Sequence, residues 1–187
     1  MTTEPLPPTP VLETERLILR PLRQEDTPAI QRLFPQWEIV RYLHDTVPWP
    51  YPDDGAATNM ADCLATRARG EKFYWAITLK GSDELVGRID LWRFDGQLKD
   101  MRGFWLDPAL HGRGLMTEAA DAVTAYAFEV LGWPYLYLTN AEANVASHRV
   151  KEKQGAVIEE RVPGRYVSGP GTRVVWKLTR EAWMARR

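Results

Sequence analysis

The sequence predicts an α+β domain, a mixed and mostly antiparallel twisted sheet flanked by helices. Three observations carry that reading. Hydrophobic periodicity gives the order strand, helix-rich segment, three strands, helix, strand, helix, two strands. The three consecutive strands are joined by two short connections, the mark of an antiparallel meander. The chain has 187 residues, 44% of them hydrophobic, which suits a single core.

Residues 1–10 hold four prolines and no core pattern. They are expected to be a flexible Pro-rich tail ahead of a single domain over 11–187. Leu17 and Leu19 alternate with Arg16, Ile18 and Arg20 as in a strand, which Pro21 helps to end. Gln24, Glu25 and Asp26 open a helical stretch reaching Phe34, the acids suiting the positive end of a helix. Residues 35–55 scatter Pro35, Pro48, Pro50 and Pro52 among Trp37, Tyr42, Trp49 and Tyr51. Apart from a short helix over 37–43, this segment is expected to be an irregular binding loop. Asp53 and Asp54 precede a helix that runs to Arg69 and stops at Gly70. The meander follows, with strands over 73–79, 85–94 and 102–106. A helix over 114–131 presents Ala120, Val123, Ala127 and Val130 on one face. A strand over 135–138, a helix over 144–154 ended by Gly155, and strands over 156–161 and 173–178 complete the sheet.

Composition narrows the function. Lys and Arg number 24 and Asp and Glu 25, a net charge of −1, so no broad nucleic-acid binding is expected. The single cysteine, Cys63, excludes an internal disulfide framework and fits a reducing, cytoplasmic location. Within its amphipathic helix it reads as a small buried residue. His44, His111 and His148 lie far apart, so no metal is expected. No apolar run approaches the roughly 20 residues of a membrane span, and the first residues do not read as a signal peptide.

The informative stretch runs from Gly103 to Glu118. A strand enters a tight loop holding Gly112 and Gly114, and the loop enters a long helix. The first N–H groups of a helix lack intrahelical partners and carry the positive end of its dipole, so the loop and helix start suit a diphosphate. The same Gly-x-Gly also suits a plain tight turn. It is not a P-loop, because no Lys-Ser/Thr follows. It is a poor dinucleotide fingerprint too, because the third glycine is missing.

His111-Gly112-Arg113-Gly114-Leu115-Met116 resembles the acyl-CoA binding motif of the GCN5-related N-acetyltransferases, Gln/Arg-x-x-Gly-x-Gly/Ala. The flanking Phe104 to Pro108 and Thr117 to Ala119 are similar to the RimJ/RimL-type branch. So are Asn144-Val-Ala-Ser147 with Gly155-Ala156, and the opening Leu12 to Pro21. His111 stands where the motif has Gln or Arg, Met116 where it has a small residue, and Ala156 where the branch has Phe. Met101 stands where many relatives place a glutamate, with Asp100 one residue away and so facing the other side.

The resemblance implies the acetyltransferase fold and an acyltransferase activity. An acetyl group would pass from acetyl-CoA directly to a primary amine, either a protein N-terminus or a small molecule. No Ser–His or Cys–His pairing suggests a covalent intermediate. By that resemblance His111, Gly112, Arg113, Gly114, Leu115, Met116 and Thr117 hold the diphosphate. The backbone of Trp105 and Leu106 pairs with the pantetheine arm, Asn144 fixes that arm, and Ser147 gives a proton to the departing thiolate. From the residues alone, Asn144 reads first as a helix cap with Ser147 on a solvated face. The base is unassigned. Asp90, Asp100, Glu159, Tyr166 and His44 are candidates that each read first as structural, and Glu118 reads as a helix-dipole partner. Trp37, His44 and Trp49, in the irregular segment, are expected to line the acceptor pocket, although exposed aromatics also fit a homodimer face. Two other readings stay open. One is a catalytically silent CoA-binding sensor or scaffold, motivated by Met101; the other is a mononucleotide-binding module.

Overall fold

The computed structural model describes residues 4–186. Leu12–Glu13 (β1) and Leu17–Pro21 (β2) open a five-stranded antiparallel sheet that continues through Lys72–Leu79 (β3), Leu85–Trp92 (β4) and Arg102–Leu106 (β5), in that spatial order. Between β2 and β3 lie a 3₁₀ turn at Gln24–Asp26 and three helices, Thr27–Leu33 (α1), Trp37–Val40 (α2) and Gly55–Ala68 (α3). Leu115–Ala125 (α4) leads to Tyr135–Ala141 (β6), then Val145–Gln154 (α5). The hairpin of Val157–Tyr166 (β7) and Gly169–Thr179 (β8) follows, and Arg180–Met184 (α6) ends the chain. The second sheet has the order β6-β8-β7, again antiparallel.

The α+β class and the meander match the expectation. The expected single sheet divides into two between β5 and β6. One backbone bond joins them near the split, from the N–H of Met101 to the carbonyl of Tyr137 at 2.9 Å.

Each face of the first sheet has its own core. On one face Leu17, Leu19, Phe73, Trp75, Ile77, Ile89 and Leu91 pack against Ala119, Ala120, Val123 and Ala127 of α4 and its extension. On the other face Tyr74, Ala76, Leu85 and Trp105 meet Ile30, Ile39, Ala56, Met60 and Cys63 of α1–α3. Two side chains depart from their sequence pattern. Arg20 is buried, because Asp26 takes both its terminal nitrogens at 2.9 and 2.7 Å and Asp83 takes its Nε at 2.7 Å. Val130, expected on the buried face of α4, is 68% exposed. The chain from Tyr126 to Val130 is a π-turn, which rotates the apolar stripe and buries Phe128 instead.

The last two strands extend well beyond 156–161 and 173–178. They meet across a two-residue turn, where Gly169 takes φ 112°, a value side chains rarely adopt. Pro163 is tolerated because β7 is an edge strand.

The tail expectation needs correction. Residues 4–10 have no helix or strand, but they are docked. Leu6 is buried and its N–H reaches the carbonyl of Gly70 at 2.7 Å; the Trp75 indole donates to the carbonyl of Pro10 at 2.7 Å. Residues 1–3 of the expected tail lie outside the described residues. Replacing Leu6 by Ala should lower unfolding free energy by ~2 kcal/mol in denaturant titration, whereas a free tail would lose nothing.

Candidate active site

The split between the sheets opens a cavity of about 300 Å³. Its walls come from four places: β5 and the loop after it, the first turn of α4, one side of α5 with its N-cap, and α2 with Leu43 just beyond it. The segment after β5 is shaped locally. Asp107 caps a 3₁₀ turn at Pro108–Leu110 by accepting the Ala109 N–H at 3.0 Å. Gly112 and Gly114 both take φ 76°, and Gly114 sits at the N-cap of α4 with no side-chain cap. The N–H groups of Leu115, Met116 and Thr117 are therefore left without intrahelical partners at the cavity wall.

Of the residues singled out for a cofactor, Trp105, Leu106, His111, Gly112, Gly114, Leu115, Met116, Thr117, Asn144 and Ser147 all line this cavity. Arg113 does not; its carbonyl accepts a hydrogen bond from Arg16 Nη1 at 2.9 Å. His111 does more than face the cavity. Its Nε2 lies 2.9 Å from the carbonyl oxygen of Leu106, so the ring donates there and ties the loop to the end of β5. Met116 lines the cavity and also packs on the core.

Asn144 caps α5, its Oδ1 accepting the Ser147 N–H at 3.1 Å, and it lines the cavity as well. Ser147 is not on a solvated face: it is buried, and its Oγ accepts from Lys151 Nζ at 2.8 Å.

Glu118 is more than a dipole partner. It binds the Arg16 guanidinium at 2.7 Å, the Arg16 N–H at 2.8 Å and the Thr14 hydroxyl at 2.6 Å. Burial pushes its carboxyl up, but these donors outweigh burial and hold it below the usual range.

The acceptor-side residues are arranged differently from expectation. Trp37 and Trp49 pair at 5.7 Å and are half-exposed, and the His44 ring is directed to Asp45, 3.1 Å away. None of the three lines the cavity; their neighbours Glu38, Ile39 and Leu43 do. Sequence reasoning missed Glu38. Its signal was its place in the short helix already expected over 37–43. The segment after α2 is pinned to the β7–β8 tip by Val167 N–H to Leu43 O at 3.0 Å and by a bridge between His44 and Tyr166.

The base candidates lie off the cavity wall. Asp90 is half-buried beside Arg88 at 3.0 Å, loss of solvent pushing its carboxyl up against the pull of the guanidinium. Asp100 is half-buried, and loss of solvent raises its carboxyl to about 6. Glu159 pairs with Lys99 at 2.7 Å, and Tyr166 donates to Thr172 O at 3.3 Å. Met101 is buried, its Sδ accepting the Tyr137 N–H at 3.3 Å. Burial pushes the Cys63 thiol up, away from the reactive thiolate. Among the described residues no His/Cys/Asp/Glu group is placed to hold a metal, and no helix is long and apolar enough to cross a membrane.

The acetyltransferase (GNAT) domain model matches residues 16–157. The uncharacterized N-acetyltransferase YoaA of Bacillus subtilis is 27% identical over 164 residues, 87% of this chain and 91% of YoaA. The uncharacterized N-acetyltransferase YnaD of the same organism is 24% identical over 147 residues, 77% of this chain and 81% of YnaD. Among solved structures, Mycobacterium smegmatis RimJ in complex with CoA-disulfide shares the fold with a TM-score of 0.76 at 19% identity, over 91% of this chain and 88% of RimJ. The ribosomal-protein-S5-alanine acetyltransferase of Vibrio fischeri does so with a TM-score of 0.76 at 15% identity, over 93% and 98%. The family match spans well over half of the sequence, and it falls on the loop, strand edge and helix start that build the cavity. The chain belongs to the GNAT acetyltransferase family, with a RimJ/RimL-like fold, and is an N-acetyltransferase.

Proposed function

We propose that the cavity takes acetyl-CoA and that the acetyl group passes directly to a primary amine entering from the α2 side. One observation carries this: the glycine loop, the outer edge of β5 and the start of α5 all line the same cavity. The uncapped N–H groups of residues 115–117 hold the diphosphate, with the dipole of α4 behind them. β5 is the edge strand of its sheet, and its outer backbone edge receives the pantetheine arm in strand-like fashion. His111 already occupies the Leu106 carbonyl, so that strand end supports the arm through its remaining groups. Asn144 both caps α5 and meets the arm. Ser147 gives a proton to the leaving sulfur.

On the acceptor side, Glu38 supplies a carboxylate to the wall, suited to an incoming ammonium and to taking its proton through water. The exposed Trp37–Trp49 pair and His44 form the rim past which the amine enters. A protein N-terminus and a small amine both satisfy this chemistry. We place the reaction in the cytoplasm, because the one cysteine is buried and asks for no oxidising compartment. A silent CoA sensor is not favoured: Ser147 and Glu38 bring a proton donor and an acid to the wall, which binding alone does not need.

Calorimetry with acetyl-CoA tests the reading. Gly114→Asp should weaken binding roughly 100-fold, the ~3 kcal/mol of trading a charge-assisted contact for repulsion. Unchanged binding would reject the loop as the diphosphate site. Asn144→Ala should lose ~1 kcal/mol of stability as a lost cap and also weaken acetyl-CoA; a stability loss alone would leave Asn144 as a cap only. Glu38→Gln should raise KM severalfold for cationic acceptors in a free-thiol assay while leaving acetyl-CoA affinity unchanged.

A further inference from the structure

Lys151 is an ammonium placed where stability gives it no reason to be. It is 2% exposed, and its hydrogen bonds go to one residue, Ser147, at Oγ (2.8 Å) and O (3.4 Å). Its Nζ also lies 5.4 Å from the centre of the Phe104 ring. A buried ammonium without a contacting carboxylate is costly, and a methionine would fill the same volume. The charged groups facing it are Arg102 of β5 and Asp100 just before that strand. Arg102 is fixed by Thr124 of α4 at 2.8 Å and Gln154 of α5 at 2.7 Å.

We propose that Lys151 is a positioning residue for acetyl transfer: its ammonium fixes the Ser147 hydroxyl so that the hydroxyl hydrogen faces the leaving sulfur. The inference rests on Ser147 being the proton donor to that sulfur. An ammonium carries only donors, so Ser147 Oγ must accept from it. The one hydrogen of the hydroxyl is then free for the cavity, which Ser147 lines. A neutral amine would offer a lone pair and let the hydroxyl turn inward.

The transfer step balances as follows. The acceptor ammonium gives one proton to water, the neutral amine attacks the thioester carbon, and the nitrogen of the adduct gives a second proton to water. The C–N bond forms, the C–S bond breaks, and its electron pair stays on sulfur. Ser147 Oγ gives its proton to that sulfur and takes one from Lys151 Nζ, leaving free thiol, acetylated amine and a neutral lysine. After product leaves, water returns a proton to Lys151 through Ser147. Burial, then Arg102, lower Lys151 to about 7 against the pull of Asp100, so the proton is exchangeable near neutrality. The ammonium predominates below about 7 and is lost above it.

The test needs no acceptor. Bound CoA is titrated for thiolate absorbance against bound desulfo-CoA, in wild type, Lys151→Met, Lys151→Arg and Ser147→Ala; the apparent value belongs to the coupled pair. Thiolate should form roughly one pH unit lower in wild type and Lys151→Arg than in Lys151→Met and Ser147→Ala. Wild-type bound CoA titrating like free CoA, or no CoA binding at all, overturns the proposal even if a variant fails to fold. Lys151→Met matching wild type while Ser147→Ala shifts overturns the role of Lys151 and leaves Ser147 as donor. Ser147→Ala matching wild type removes the donor reading and this proposal with it. Lys151→Met should melt at or above the wild-type temperature, as a merely structural lysine would not.

Discussion

The structure depends on the parting of β5 from β6. Up to Met101 the two sheets are joined, the N–H of that residue reaching Tyr137. Beyond it β5 keeps its ladder with β4 alone, from Arg102 to Leu106, and turns its other edge to no strand. An open edge buried in a protein is a liability unless something satisfies it. The molecule answers in two ways. The His111 ring takes the carbonyl of Leu106, and the remaining edge faces a cavity walled by α4 and α5. The cavity follows from sheet topology, and loop, helix start and Ser147 are arranged around that gap.

Much of this was legible in the sequence, for identifiable reasons. The strands of the meander are short, rich in aromatic and aliphatic residues and separated by turn residues, so β3, β4 and β5 fall close to their expected limits. Asn144 and Gly155 bracket α5 as cap and stop, because both act through local backbone geometry. The glycine loop was legible for the same reason. What escaped was decided by contacts distant in sequence. Leu6 docks because Gly70 offers a carbonyl, and Arg20 turns inward because Asp26 and Asp83 converge on it. The Val130 face shifts because a π-turn cannot be seen in apolar spacing. Glu38, Ile39 and Leu43 reach the cavity while the more conspicuous Trp37 and Trp49 stay outside, because bulk and aromaticity do not say which side of a short helix faces in.

α5 shows how far a polar sequence can mislead. Ser147, Lys151 and Gln154 look like a solvated stripe, yet all three are buried. Lys151 and Gln154 meet Arg102, and one network results: Arg102 reaches Thr124 and Gln154, and Gln154 reaches Asp121 at 2.9 Å and Thr124 at 3.1 Å, with the Arg102 Nε left unpartnered. A buried polar network fixes orientation more firmly than an apolar contact does, at some expense in stability. Here it joins β5 to both helices whose first turns wall the cavity.

The electrostatics of the glycine loop rest on a similar economy. An acid in the first turn of α4 steadies the helix but stands close to the proposed diphosphate site, where an uncompensated carboxylate would repel an anion. Arg16 resolves the conflict. Its Nε and N–H engage Glu118, its Nη1 holds the carbonyl of Arg113, and its Nη2 lies 3.6 Å from where a Cβ on Gly114 would project. The carboxylate is neutralised on its own side of the helix, the carbonyl that would face an anion is drawn away, and a cationic nitrogen is left beside the loop. One residue at the entrance to β2 thus holds the acid, the loop backbone and the sign of the local field in agreement.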